Sequence, residues 1–314
     1  MPFAHFRVGL DYLPPRGWTD FDAVGLAADL DLCAGLGIDL LRLEVPWEFL
    51  GPHPERLSPV ALGKLLAALD AAHARGLAVM PAILAGRPAS LADRSPWTDP
   101  FALRVQVRQV RQLAERLGTH PAIALWDVGA TPDAGWGAPP ADAAWLWAHA
   151  VCGELRRKVS QPLLIAFRDG AGPWAEVAEH ADFAGMALAA DGPPPYARFA
   201  EDPLVPGFCA ALAARQAGKP VVVTGCEGRG QAPAASYHRE ALEAAWKSGA
   251  RALFASFAAL RSGGSVRPHA DELSAWARER RPVQPVPEHV TLDEARFAAD
   301  PAGALQASFR AFAV

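Results

Sequence analysis

"HPAIALWDVGATPD", residues 120–133, decides how the rest of the chain is read. Its apolar run ends in Trp126-Asp127-Val128-Gly129 and then meets an Ala-Thr-Pro corner. A short apolar run bounded by turn residues has the form of a buried strand. Placed after a helical segment, such a strand brings the residues of its C-terminal corner to a rim where barrel enzymes keep their polar groups. What arrives at that corner is Ala130 and Thr131, neither of which donates or accepts a proton near neutral pH. The strand has the form of a catalytic one, and its end does not.

The same alternation extends outward from this stretch. Short apolar runs predict eight strands, at 6–10, 39–45, 77–84, 123–128, 163–167, 183–188, 221–224 and 252–257. Between them lie amphipathic segments such as "DAVGLAADLDLCAGLG" and "PVALGKLLAALDAAHARG", each closing on Gly where a helix C-cap is expected. Eight βα units closing on themselves predict an α/β fold, a (β/α)8 TIM barrel, in one domain over 1–314. The stretch 282–314, with its helix-like "PAGALQASFRAF", is expected to pack on the barrel as a C-terminal extension. Gly- and Pro-rich stretches ("ATPDAGWGAPP", "ADGPPPYARF", "TGCEGRGQAPA", "RSGGSVRP") follow strands 4, 6, 7 and 8 and read as the loops of the functional face.

Composition narrows the partners. With 51% hydrophobic residues, 20% charged residues and a net charge of -4, nothing in the chain favours nucleic acid or an anionic membrane. No apolar run approaches the roughly 18 residues of a membrane span. "MPFAHFRVGLDYLP" enters strand-like sequence without a basic region and a long apolar stretch, so a cytoplasmic location is expected. Cys33, Cys152, Cys209 and Cys226 are far apart and form neither a disulfide framework nor a CxxC metal pattern. No His/Cys/Asp cluster has metal-ligand spacing, and "GCEGRG" does not fit a phosphate loop, so neither metal nor cofactor is expected.

Read together, these motifs resemble the cellulase-type glycoside hydrolases of clan A, with all eight units in order. "RVGLDYLPPRGWTDFD" resembles the first strand and loop, with Asp11-Tyr12 where the family usually has Asn-Tyr. "LGIDLLRLEVPWEFLGPHPERLS" resembles the second unit, including the strand arginine Arg42 and the pair Trp47-Glu48. "GLAVMPAILAGRPASLADRSPWTDP", "HPAIALWDVG", "GKPVVVTG" and "ARFAADPAGALQASFRAF" resemble strand 3, strand 4, strand 7 and the tail.

The resemblance implies a retaining hydrolase whose strand 4 ends in Asn-Glu and whose strand 7 ends in a nucleophilic Glu. Matched residue by residue, the Asn falls on Ala130, the acid/base on Thr131 and the nucleophile on Gly225. The sugar-platform Trp of strand 8 is replaced by Ala255 or Ser256, and strand 6 ends in apolar "GMALAA". Retaining hydrolysis needs two carboxyl groups roughly 5 to 5.5 Å apart, one to protonate the leaving oxygen and one to attack. Without them the general-acid contribution, about 10² to 10⁴ in rate, and the covalent route are both lost.

Other acids offer themselves. Alternation puts Glu44 on the face of Arg42, where it has three readings: partner of a buried arginine, relocated catalytic group, or exposed charge. Glu227, two residues past Gly225, is a second candidate carboxylate or a solvated loop charge. Asp127 reads as a strand-end anchor and Asp133 as a turn residue. Candidate ligand-binding residues are Asp11, Tyr12, Arg42, Trp47, Trp97 and Trp126, with Trp136 also near the rim; His120, on the opposite side, reads as a cap or packing residue.

Three functions remain in view. The preferred one is a catalytically degenerate relative that binds an oligosaccharide or a protein partner without cleavage. The second is an active glycosidase acting on a β-linked saccharide through Glu44 and Glu227, or Asp133. The third is a structural or scaffolding subunit with a filled cleft. The replacements are smaller than the groups replaced, which favours an open cleft.

Overall fold

The computed structural model describes residues 3–50, 56–86, 88–129, 137, 139–168, 172–188, 202–226, 235–262, 265–266, 270–290 and 301–313. Eight parallel strands, β1 (Arg7–Tyr12), β2 (Leu40–Pro46), β3 (Ala78–Ala85), β4 (Trp126–Val128), β5 (Leu163–Arg168), β6 (Phe183–Leu188), β7 (Val221–Cys226) and β8 (Ala252–Ser256), form a closed barrel in sequence order. Closure is made by β1 against β8, with Arg7 opposite Ala252 and Asp11 opposite Ser256. This is the expected (β/α)8 barrel.

The helices of the outer ring used below are α1 (Ala23–Gly35), α2 (Pro59–His73), α3 (Pro100–Leu117), α4 (Ala141–Arg156), α5 (Val205–Ala217), α6 (Ala235–Lys247) and α7 (Ala270–Glu279), with α8 (Pro301–Phe312) in the tail. Their ends carry the expected chemistry. Asp22, Ser58 and Asp99 cap α1, α2 and α3 by accepting from backbone N–H groups, and Pro59 and Pro100 occupy the first turns of α2 and α3. Gly37 and Gly76, which close the two segments quoted above, have φ of 77° and 70°, the left-handed geometry that ends a helix.

The barrel interior is filled by Leu40, Met80, Leu125, Leu164, Phe183, Val222 and Phe254, among others, and Phe3 plugs its N-terminal end edge-on to Phe183. Gly9 is dictated by this packing: a Cβ there would lie 2.5 Å from Cε1 of Phe254. The second, larger core lies between strands and helices, where the alternate residues of each strand point. The tail joins it: Phe309 and Phe312 of α8 pack on Phe208 of α5.

Candidate functional site at the barrel mouth

Strand alternation sets which side chains reach the mouth. On β2, Leu40 belongs to the interior, so Arg42 and Glu44 follow it on the inner face, while Leu41, Leu43 and Val45 face the helices. On β4, Leu125 and Asp127 point inward and Trp126 and Val128 outward. Asp11 on β1 sits beside Arg42 in register.

Arg42 is the hub of this face. Its Nε donates to Asp127 Oδ2 at 2.7 Å, and its NH1 donates to both oxygens of Asp11 at 3.0 and 2.9 Å. The guanidinium is 5% exposed, Asp127 is fully buried, and the Asp11 side chain keeps 24% of its surface open. Burial disfavours the charged guanidinium, but Asp11, Asp127 and Glu44 outweigh it and hold the group firmly protonated. Burial pushes the Asp11 carboxyl above the usual aspartate range, with the charge and hydrogen bonds of Arg42 acting in the opposite sense.

The sequence reading gave Glu44 as the leading partner of Arg42. The hydrogen-bonded carboxylates are instead Asp11 and Asp127, with Glu44 adding its charge. The reason is reach: Asp11 is in register with Arg42 on the neighbouring strand, and Asp127 faces it from β4. The anchoring role read for Asp127 is therefore discharged on an arginine. Glu44 is half-buried at the end of β2, and its backbone carbonyl accepts from Trp18 Nε1 at 2.8 Å, which pins the β1 loop onto the rim.

The opposite side of the mouth is built from small residues. A register shift between β6 and β7 brings Gly225 opposite Ala187. A Cβ built on Gly225 would meet Ala187 Cβ at 3.9 Å and Leu188 O at 3.8 Å, ordinary van der Waals contact, with nothing nearer among the described residues, so the position accepts a Cβ without a clash. On β8, Ser256 follows the interior residues Ala252 and Phe254 to the same rim. The mouth is thus polar along β1, β2 and β4 and small along β6, β7 and β8.

The aromatic candidates are packed away from this mouth. Trp126 is fully buried in the layer between barrel and helices, as the alternation of β4 requires. Tyr12 also faces outward, donating to Asp29 Oδ2 of α1 at 3.0 Å and meeting Phe257 edge-on. Trp97 is buried edge-on to Trp147 of α4 and donates to the Gly137 carbonyl at 3.1 Å, while Trp47 is buried at the start of a short helical turn after β2. These four residues, expected to line a ligand, are each at most 3% exposed. His120 Nδ1 accepts from Ala122 N and its Nε2 meets Asp70, the capping role expected of it. Ala130, Thr131, Asp133, Trp136 and Glu227 lie outside the described residues.

Among the described residues no group of three His, Cys, Asp or Glu side chains is arranged to hold a metal ion. The described cysteines are all free and buried. No described helix is long and apolar enough to cross a membrane.

No protein-family model matches the chain. No curated protein matches it either. Solved structures do. GH5_18 from Streptomyces cattleya, determined in complex with GlcNAc, matches with a TM-score of 0.76 at 20% identity, over 90% of this chain and 82% of that one. GH5_18 from Bifidobacterium longum subsp. longum, determined in complex with Manb1-4GlcNAc, matches with a TM-score of 0.74 at 18% identity, over 90% of this chain and 80% of that one. The exo-beta-1,4-mannosidase Op5Man5 from Opitutaceae bacterium strain TAV5 matches with a TM-score of 0.72 at 20% identity, over 88% of this chain and 60% of that one. The structural neighbours are therefore glycoside hydrolases of TIM-barrel fold, and at these identities the likeness is one of fold.

Proposed function

We propose that the protein is a glycoside-hydrolase-like barrel that binds a carbohydrate at its mouth and does not hydrolyse it by double displacement. The observation that carries this reading is Gly225: the strand end assigned by resemblance to the nucleophile lies opposite Ala187 and carries no side chain. Asp11 and Glu44, both partly exposed, supply hydrogen-bonding groups for sugar hydroxyls, Arg42 and Asp127 brace them from below, and the facing arc of Ala187, Gly225 and Ser256 is made of small residues. An arc of small rather than bulky residues favours retained binding over a plugged scaffold.

The saccharides named with the structural neighbours, GlcNAc and Manb1-4GlcNAc, are the first ligands to try. Calorimetric titration against them and a panel of β-linked oligosaccharides, with product analysis of the same samples, tests the reading. Binding without product supports it. Turnover that Glu44→Gln or Glu227→Gln abolishes would replace it with relocated catalysis, and no binding of any saccharide would leave a scaffold.

A further inference from the structure

A second concentration of charge lies away from the mouth, on the outer layer between α3, α4 and the 3-10 turn Ala178–His180 that precedes β6. A cavity of about 540 Å³ opens there, bounded by Arg111, His149, Arg156, Arg157, Glu179 and His180 among others. That volume falls in the range of small-molecule sites, about 300–1,000 Å³.

The acids around the cavity are already engaged. Glu154, 5% exposed, accepts from Nε and NH2 of Arg111 at 2.6 and 3.3 Å and from NH1 of Arg157 at 3.0 Å. Asp182 accepts from Arg156 and from the backbone N–H of Leu163, which turns it toward the strand. Glu179 accepts from Trp145 Nε1 and lies 3.3 Å from His180 Nε2.

The donors are not exhausted. Among the described residues, Arg157 engages Glu154 through one nitrogen and is 72% exposed, and NH1 of Arg111 has no acceptor. The rings of His149 and His180, both lining the cavity, stand 5.4 Å apart, with Nε2 of His180 held 3.3 Å from Glu179. A guanidinium only donates, so a wall of spent acceptors and spare donors is complementary to oxygen-rich anions. The cavity lining itself has three arginines, Arg111, Arg156 and Arg157, against two glutamates, Glu154 and Glu179. The Arg111–Glu154 fork alone would staple α3 to α4, and that role leaves Arg157 and the cavity without one.

We propose that this cavity binds a small multivalent oxyanion, a phosphoryl- or polycarboxylate-bearing molecule, at a site separate from the barrel mouth. The test is calorimetric titration of the full chain with inorganic pyrophosphate and with citrate at low ionic strength. Saturable binding of at least one, weakened about tenfold or more in Arg157→Gln by loss of a charged donor and unchanged in Asp11→Asn, is expected. Tighter pyrophosphate assigns phosphoryl chemistry, and tighter citrate assigns carboxylate. Arg157→Gln keeps the Arg111–Glu154 fork, so its thermal midpoint should match the parent and exclude misfolding as the cause. The proposal is overturned by absence of saturable binding of both probes, by binding that Arg157→Gln leaves intact, or by binding that Asp11→Asn removes.

Discussion

Arg42 and Asp127 stand on β2 and β4, with β3 between them, and meet in a hydrogen bond of 2.7 Å almost entirely out of water. β3 places Ala82 in register with Asp127, a methyl group that leaves the path across the barrel clear. The pair links two non-adjacent strands at the layer just below the mouth, and Asp11 extends the link to β1.

Breaking that link should be costly. Arg42→Met leaves Asp127 as a buried charge without this partner and is expected to destabilise by about 3–5 kcal/mol. Asp11→Asn retains an acceptor on a partly exposed side chain and should cost clearly less. Urea denaturation of both variants checks the order, and equal losses would sink the view that the stranded Asp127 charge carries the larger penalty.

The same substitution should have opposite consequences at two glycines. Gly9→Ala forces a Cβ to 2.5 Å from the Phe254 ring and is expected to destabilise by about 1–3 kcal/mol. Gly225→Ala meets nothing closer than 3.8 Å among the described residues and should be neutral or stabilise by up to about 1 kcal/mol. Thermal midpoints measured side by side decide this.

Trp126 offers a test of the mouth. Because its ring lies between strand and helices, Trp126→Ala should lose about 3–5 kcal/mol of stability while leaving saccharide affinity of the folded fraction unchanged. A fall in affinity at full folding would return the ring to the ligand site.

Arg111 holds the Glu154 carboxyl below the usual carboxylate range, chiefly by their hydrogen bond. With the folded pKa below the unfolded one, the unfolded chain binds more protons through this window, so the contribution is present above the usual carboxylate pKa and disappears as pH falls through the folded value. The stability difference between the parent and Arg111→Gln should therefore be larger at neutral pH than in strong acid. A difference independent of pH would refute the assignment.

Much of the barrel was legible in the sequence because its signals are local. Periodicity, capping residues such as Asp22 and Ser58, and closing glycines such as Gly37 fix each element from its own residues. Alternation likewise placed Glu44 beside Arg42 on the inner face. What the sequence left ambiguous was non-local: that Arg42 goes to Asp11 and Asp127 depends on register across four strands. The orientation of the tryptophans is non-local too: Trp126 and Trp97 lie near the C-terminal strand ends while their rings turn toward α4 and the helical layer. The Arg111–Glu154 cluster went unread, although the arginine spacing in "RVQVRQVRQLAERL" was the available signal.

Gly225 also bears on what the barrel can be made to do. Crowding neighbours would have to retreat before any side chain could be added there. Among the described residues, a Cβ at Gly225 meets Ala187 and Leu188 only at ordinary contact distance, and the position lies opposite Ala187 of β6. Laboratory selection therefore has a single-substitution starting point for placing a new group on β7.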